Sequence, residues 1–257
     1  MSRWAFFGRV VPERIPLSIG TPIIWSSEVK DFGINMDVSF CIADGQLVCN
    51  TNVTQGNADT NTVRNLIEIQ IRSVVDLIGY LHAVRYDVDI ISAINLQTGD
   101  RVVFGINIPV LTDRRKNAKT GDYPRKLDGQ LLQTVMSELA AQVVLQEFRE
   151  AMGFAIGTGF HCYRAIEAMM QSIRTSDIEK ETTAWDRLRQ HLCVNRGAID
   201  FVKDHADLSR HGRPSSISEA DRAKVFNITD EIIRRYLHYL SKGKTPLPDS
   251  DFPILQA

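Results

Sequence analysis

Between Lys30 and Ala43 the apolar residues Phe32, Ile34, Met36, Val38, Phe40 and Ile42 hold successive even positions. A period of two puts them on one face, so this stretch predicts a β-strand with one buried side. Asp44-Gly45 follows, a pair that tolerates the positive φ of a tight hairpin turn, and Gln46 to Val53 is expected to pair back on the first strand. The polar stretch Thr51 to Thr62 reads as a loop, with Thr60 or Asn61 as the cap of a following helix. Val63, Ile67, Ile71, Val74, Leu77, Ile78 and Leu81 then give a helical stripe, expected to lie on the sheet. Asp87 to Asn95 and Arg101 to Val110 read as strands joined through Gln97-Thr98-Gly99-Asp100. The runs Trp4 to Val11 and Ile15 to Trp25, broken by Pro12, Pro16, Gly20 and Pro22, suit edge strands and loops.

Past Leu127 the period becomes helical. Leu127, Leu131, Leu132, Val135, Met136, Leu139 and Val143 predict one long amphipathic helix, interrupted around Gly153 to Gly159 and continued from Phe160 to Arg174. Trp185 to Cys193, Asn195 to Ser209 and Ser218 to Ser241 complete about five helices. Ser216-x-x-Glu219 or Ser218-x-x-Asp221 caps the last, whose Val225, Ile228, Ile232, Tyr236, Tyr239 and Leu240 point inward. In the helix from Asn195, the positions Ala198, Phe201, His205 and Leu208 are expected to pack, and Gly212 and Pro214 stop it. The fold expected is α+β: an N-terminal mixed strand and helix domain over 1–112 and an all-α antiparallel helical bundle over 127–242 with a tail at 243–257. Between the domains, 113–126 lacks apolar periodicity and carries six basic residues against two acidic, so it reads as an exposed basic linker.

Composition narrows the partners. With 257 residues, 44% of them hydrophobic, the chain can bury a sizeable core, and a formal net charge of −1 offers phosphate no overall attraction. Nucleic acid would have to be met by a local patch, for which Arg114, Arg115, Lys116 and Lys119 could contact phosphates while Tyr123 stacks on a base. The plainer reading of the same residues is a solvated linker. Four cysteines without a Cys-x-x-Cys pair suggest free thiols in a reducing compartment, and no run is long enough for a signal peptide or a membrane span. A cytoplasmic protein with no membrane contact is expected.

The chemistry-bearing residues gather in the helical half. Phe160-His161-Cys162-Tyr163-Arg164-Ala165-Ile166-Glu167-Ala168 on one helix, Asp207-Leu208-Ser209-Arg210-His211-Gly212 ending another, and Ile217-Ser218-Glu219 opening a long helix together resemble the HEPN superfamily, over about residues 127 to 242. The resemblance implies homodimers formed through the helical half. It also implies, for active members, a metal-independent ribonuclease built on an Arg, four to six residues and a His. Such chemistry needs a His to move the 2′-hydroxyl proton and an Arg to hold the growing phosphate charge. Here His211 would need an Arg at 204, 205 or 206, and those positions hold Asp204, His205 and Ala206. The reading that follows is a non-catalytic scaffold binding protein, single-stranded RNA or tRNA, in the microbial stress or antiviral setting that the resemblance implies. The alternative is a ribonuclease using Arg210 and His211 with help from Lys203 or Arg164.

Other chemistries find less support. Asp204, Asp207 and His211 share a helical face but bring no fourth ligand, so no metal is expected, and a solvated acidic stripe or ion pairs to Arg164, Arg187 or Arg189 account for them more simply. The Gly153 to Gly159 stretch lacks the Lys-Ser/Thr of a phosphate-binding loop, and no cofactor is expected. Arg164 and Glu167, sharing a turn beside apolar neighbours, are expected as a buried polar pair.

Overall fold

A computed structural model describes all residues except 1, 30–32, 57, 106–107, 119–122, 124–127, 154, 177 and 211–216, and describes only the backbone at 208–210. The chain divides into two compact units, Met1–Ile106 and Asn107–Ala257, so it is α+β with a sheet-based unit followed by a helical one.

The first unit contains β1 (Ser2–Val11), β2 (Ile19–Val29), β3 (Ile34–Ala43), β4 (Gln46–Gln55), α1 (Thr60–His82), β5 (Asp87–Asn95) and β6 (Arg101–Val103). The sheet is antiparallel throughout, in the order β2-β3-β4-β1-β5-β6. Alternation decides the faces: Ile34, Met36, Val38, Phe40 and Ile42 of β3 are all buried, as are Leu47, Cys49, Thr51 and Val53 of β4. Asp44 (φ 47°) and Gly45 (φ 77°) form the turn between them, with Ala43 opposite Gln46.

The first strand departs from expectation. β1 is central, between β4 and β5, because Pro12 and Pro16 fall beyond its end while Trp4, Phe6 and Val10 point into the core. Gly8 makes this possible: at a register shift with β5, an added Cβ would strike the Asp89 carbonyl. β2, which holds Pro22, is an edge strand as expected. β6 stops at Val103, short of Val110: Gly105 takes a positive φ of 72° just beyond it, and Pro109 opens a helix. The cap of α1 is Asp59, which accepts from the amides of Asn61 (2.8 Å) and Thr62 (3.0 Å), so neither Thr60 nor Asn61 has that role. Val63, Ile67, Ile71 and Val75 of α1 are buried on the sheet, whereas Leu77, Tyr80 and Leu81 near its end are exposed.

The second unit comprises α2 (Pro109–Asn117), α3 (Gly129–Ser137), α4 (Leu139–Gly153), α5 (Thr158–Ile173), α6 (Glu181–Leu192), α7 (Arg196–Arg210) and α8 (Glu219–Ser241). Where one long helix was expected there are two, because Glu138 is extended (φ −116°, ψ 101°) and Gln142 donates to the freed Val135 and Met136 carbonyls, both at 3.2 Å. Leu127 lies outside the described residues. Ser218 caps α8, accepting from the Asp221 amide at 3.0 Å, and all six α8 residues read as inward are buried. On α7 the buried stripe is Ala198, Ile199, Val202 and Ala206. Phe201 and His205 are only half-buried, since the small alanines let α7 press its backbone against Gly159 of α5.

The segment after α8 is no free tail. Val194 and Leu255 form a parallel bridge, flanked by Leu255 N–H to Cys193 O and Asn195 N–H to Leu255 O (both 2.9 Å), and Leu247 and Phe252 are buried. Apolar side chains at those two positions make the segment a strap over the α6–α7 corner. Among the described residues no helix is long and apolar enough to cross a membrane.

Candidate functional site

Two polar constellations stand out in the helical unit. The first begins with a pair of acids, Asp230 and Glu231, that α8 places beside the buried Thr229, Ile232 and Ile233. Both carboxylates are nearly inaccessible, at 3% and 6% exposure, so each needs compensating charge. It comes from α2. Arg115 Nη2 donates to Asp230 (2.6 Å), Arg114 Nη2 donates to Glu231 and Arg114 Nη1 to the Asn227 carbonyl (2.8 Å). Tyr123 accepts from Arg114 Nε (2.8 Å), donates to Asp230 (2.5 Å) and lies under the Arg115 guanidinium, 5.0 Å from the ring centre. Burial, with that donation to Asp230, pushes the Tyr123 phenol up to about 12. On the far side of Glu231, Arg234 and Arg235 each donate to it at 2.7 Å. Arg235 then reaches the carbonyls of Leu192 (3.1 Å), Cys193 (2.6 Å) and Pro253 (2.9 Å), tying α8 to the strap.

The exposed basic linker expected over 113–126 is therefore corrected at its start. Arg114, Arg115 and Tyr123, expected to meet RNA, are instead engaged by two buried carboxylates, although the side chains of Arg114 and Arg115 remain 28% and 42% exposed. Lys116 remains exposed, 3.8 Å from Asp113, and Lys119 lies outside the described residues. One consequence is testable by limited proteolysis. Trypsin should spare the bonds after Arg114 and Arg115 in the native chain, and Asp230→Ala should open both by at least tenfold in rate. Equal cleavage in the two proteins would mean that α2 is not held by this pair.

The second constellation lies around α5 and the end of α7, the helices that carry Arg164, Lys203 and Arg210 of the four expected catalytic residues. His211 falls outside the described residues, as does the side chain of Arg210. Lys203 is half-buried on α7, while Arg164 is 51% exposed and stands 3.8 Å from both Glu147 of α4 and Glu167. Arg164 thus belongs to an α4–α5 cluster, and the expected buried pair with Glu167 is instead a half-exposed one. His161 completes it, Nδ1 donating to Glu147 at 2.8 Å. A carboxylate that fixes an imidazole this way leaves Nε2 for proton transfer, with a guanidinium one turn away. Glu147 was missed because its partners are on another helix, which periodicity does not report.

Near the end of α7, His205 Nδ1 donates to the Phe201 carbonyl (2.9 Å) and its Nε2 is 3.9 Å from Asp221. Lys224 sits 4.2 Å from the Phe201 ring centre, and Arg222 donates to the buried Thr158 hydroxyl at 2.9 Å. Cys162 is fully buried beneath this corner and burial pushes its thiol up to about 12; Cys49 and Cys193 are raised to about 11, burial again being the main cause. None of the three is a thiolate nucleophile at neutral pH. Among the described residues no group of three His, Cys, Asp or Glu is placed to hold a metal ion, and Asp204 is exposed.

Two family models match the chain in tandem. Residues 4–104 match the N-terminal domain, and 129–241 the C-terminal domain, of a domain of unknown function, DUF8168. The chain belongs to the DUF8168 family. Both matches follow the fold, ending one residue past β6 and running from the start of α3 to the end of α8. Helix α2 and the strap fall outside the DUF8168 matches, yet both are bound to α8 through Asp230, Glu231 and Arg235. No curated protein and no solved structure matches the chain.

Proposed function

We propose that this protein is a cytoplasmic, non-catalytic scaffold whose HEPN-like helical unit pairs with a second copy and offers contacts to protein or RNA. The observation that carries the reading is α3. Its nine residues include Leu131, Leu132, Val135 and Met136, and none is buried. Met136 is 68% exposed and Leu139, just beyond, 74%. Across 129–146 the sole charge is Glu138, itself 3.0 Å from Lys244, so the exposed Leu132, Met136 and Leu139 stand among uncharged neighbours, free of like-charge repulsion against a second copy. Charge depletion with exposed Leu and Met is the composition of an interface core. Sedimentation at micromolar concentration is expected to give a dimer, and the double change Met136→Glu with Leu139→Glu a 29 kDa monomer of unchanged helicity. A wild-type chain that stays monomeric as concentration rises would overturn the pairing.

A second reading, metal-independent ribonuclease, is favoured by the cations Arg222 and Lys224 and by His205, which lie toward the end of α7, the helix whose last residue is Arg210. Incubation with labelled single-stranded RNA and tRNA in EDTA separates the two. The scaffold reading expects no cleavage by wild type, His211→Ala or Arg210→Ala. Cleavage by wild type that His211→Ala abolishes would replace it with the ribonuclease.

A further inference from the structure

We propose that the free edge of β2 accepts an extended strand of another polypeptide, with apolar and basic residues in alternation, as a seventh strand of the N-terminal sheet. The sheet has two edges of unequal character. β6 is three residues long, too short to template pairing, whereas β2 runs for eleven. Natural edge strands are blunted by proline, lysine or bulges. β2 has Pro22 and a register shift between Ile19 and Ile23, but from Ile23 to Val29 it is a continuous ladder with β3 and holds no proline, glycine or lysine. Among the described residues no backbone group outside the sheet bonds to it.

Burial along β2 points the same way. Not one of its eleven residues is buried, while β3 beside it buries five. Ile23, Trp25 and Val29 pack against the core from its rim and are covered only in part. On the opposite face Ile24 is 74% exposed. A strand laid along this edge would satisfy the outward backbone groups and finish covering the rim with its own apolar positions.

Charge selects the occupant. Neither β2 nor β3 contains Lys or Arg, and Glu28 and Asp37 are exposed on the face that also carries Ile24 and Ser26. A second copy would set two acid-only edges together, which like-charge repulsion opposes. A strand with lysines on that face meets Glu28 and Asp37 instead.

The probe is a blocked eight-residue peptide of alternating valine and lysine, added to the full chain and followed by backbone hydrogen exchange and calorimetry. The expected result is slowed exchange within 23–29, binding at least tenfold weaker for a valine–glutamate peptide, and loss of binding when the peptide's edge-facing amides are N-methylated. Glu28→Lys, at an exposed position that leaves folding untouched, should abolish the preference between the two peptides, since Asp37 then faces one lysine. Slowed exchange that the glutamate peptide matches would overturn the basic occupant, and no change within 23–29 at millimolar peptide would overturn the site. Protection that appears without peptide and grows with protein concentration would assign the edge to a second copy and equally overturn the proposal. These outcomes are independent of the Met136 and Leu139 variants, which report on the helical unit alone.

Discussion

Glu231→Ala is expected to destabilise the helical unit by about 3–5 kcal/mol, the range for removing one partner of a buried ion pair. The cost arises on Arg235, which is 4% exposed and would keep its charge without a counter-ion. Arg114 and Arg234 reach the surface and can be hydrated, so their loss of Glu231 matters less. Urea denaturation followed by helical circular dichroism measures the change, and a loss below about 1 kcal/mol would mean that the Leu192, Cys193 and Pro253 carbonyls suffice for Arg235. The same carboxylate sets an acid limit. Burial alone would push the Glu231 carboxyl up, but hydrogen bonds from Arg234 and Arg235 outweigh it and hold its pKa below the usual 4.5. Its contribution is therefore complete above pH 4.5 and is lost as pH falls through the depressed folded value, a dependence that Glu231→Gln should remove.

Loss of stability should begin earlier, through the histidines. His191 and His238 are both lowered from 6.5, mainly by burial, so below that pH the unfolded chain takes up protons first. Both touch the strap, the His191 carbonyl accepting from Leu247 N–H (2.9 Å) and the His238 ring lying 5.1 Å from that of Phe252.

What the sequence disclosed depended on whether the cause was local. The alternation of β3, the Asp44-Gly45 turn and the Ser218 cap, one of two the sequence offered, are decided by neighbours within a few residues and were legible to that extent. β1 was misplaced for the same reason in reverse: its prolines lie just outside the strand, and its central position is decided by strands more than 35 residues away. Arg114 and Arg115 looked solvated because Asp230 and Glu231 are 115 to 117 residues distant. Acids between Ile228 and Ile232 were a usable signal that some cation must come to them. Arg164 was expected as a catalytic helper and His161 stood beside it in the quoted motif without a role, but Glu147, which joins them, could be found only from helix packing.

Gly159→Ala is the second substitution expected to have a large effect. Alanine is intrinsically better in a helix by about 1 kcal/mol, so propensity alone favours the change. The structure reverses that sign, because the new methyl would overlap the His205 carbonyl, whose carbon lies 2.6 Å away. That group is backbone within α7 and cannot rotate aside as a side chain would. Forcing α5 and α7 apart should cost about 1–3 kcal/mol, the usual penalty of overpacking. Gly153→Ala supplies the control, since a methyl there meets nothing within 4 Å and should be neutral or slightly stabilising. Denaturant midpoints of the two variants test the argument, and equal midpoints would show that α7 is free to shift. Forcing α7 away from α5 would also displace the end of α7 that carries Arg210, so Gly159→Ala should weaken whatever binding or cleavage depends on Arg210 and His211, while Gly153→Ala leaves it unchanged.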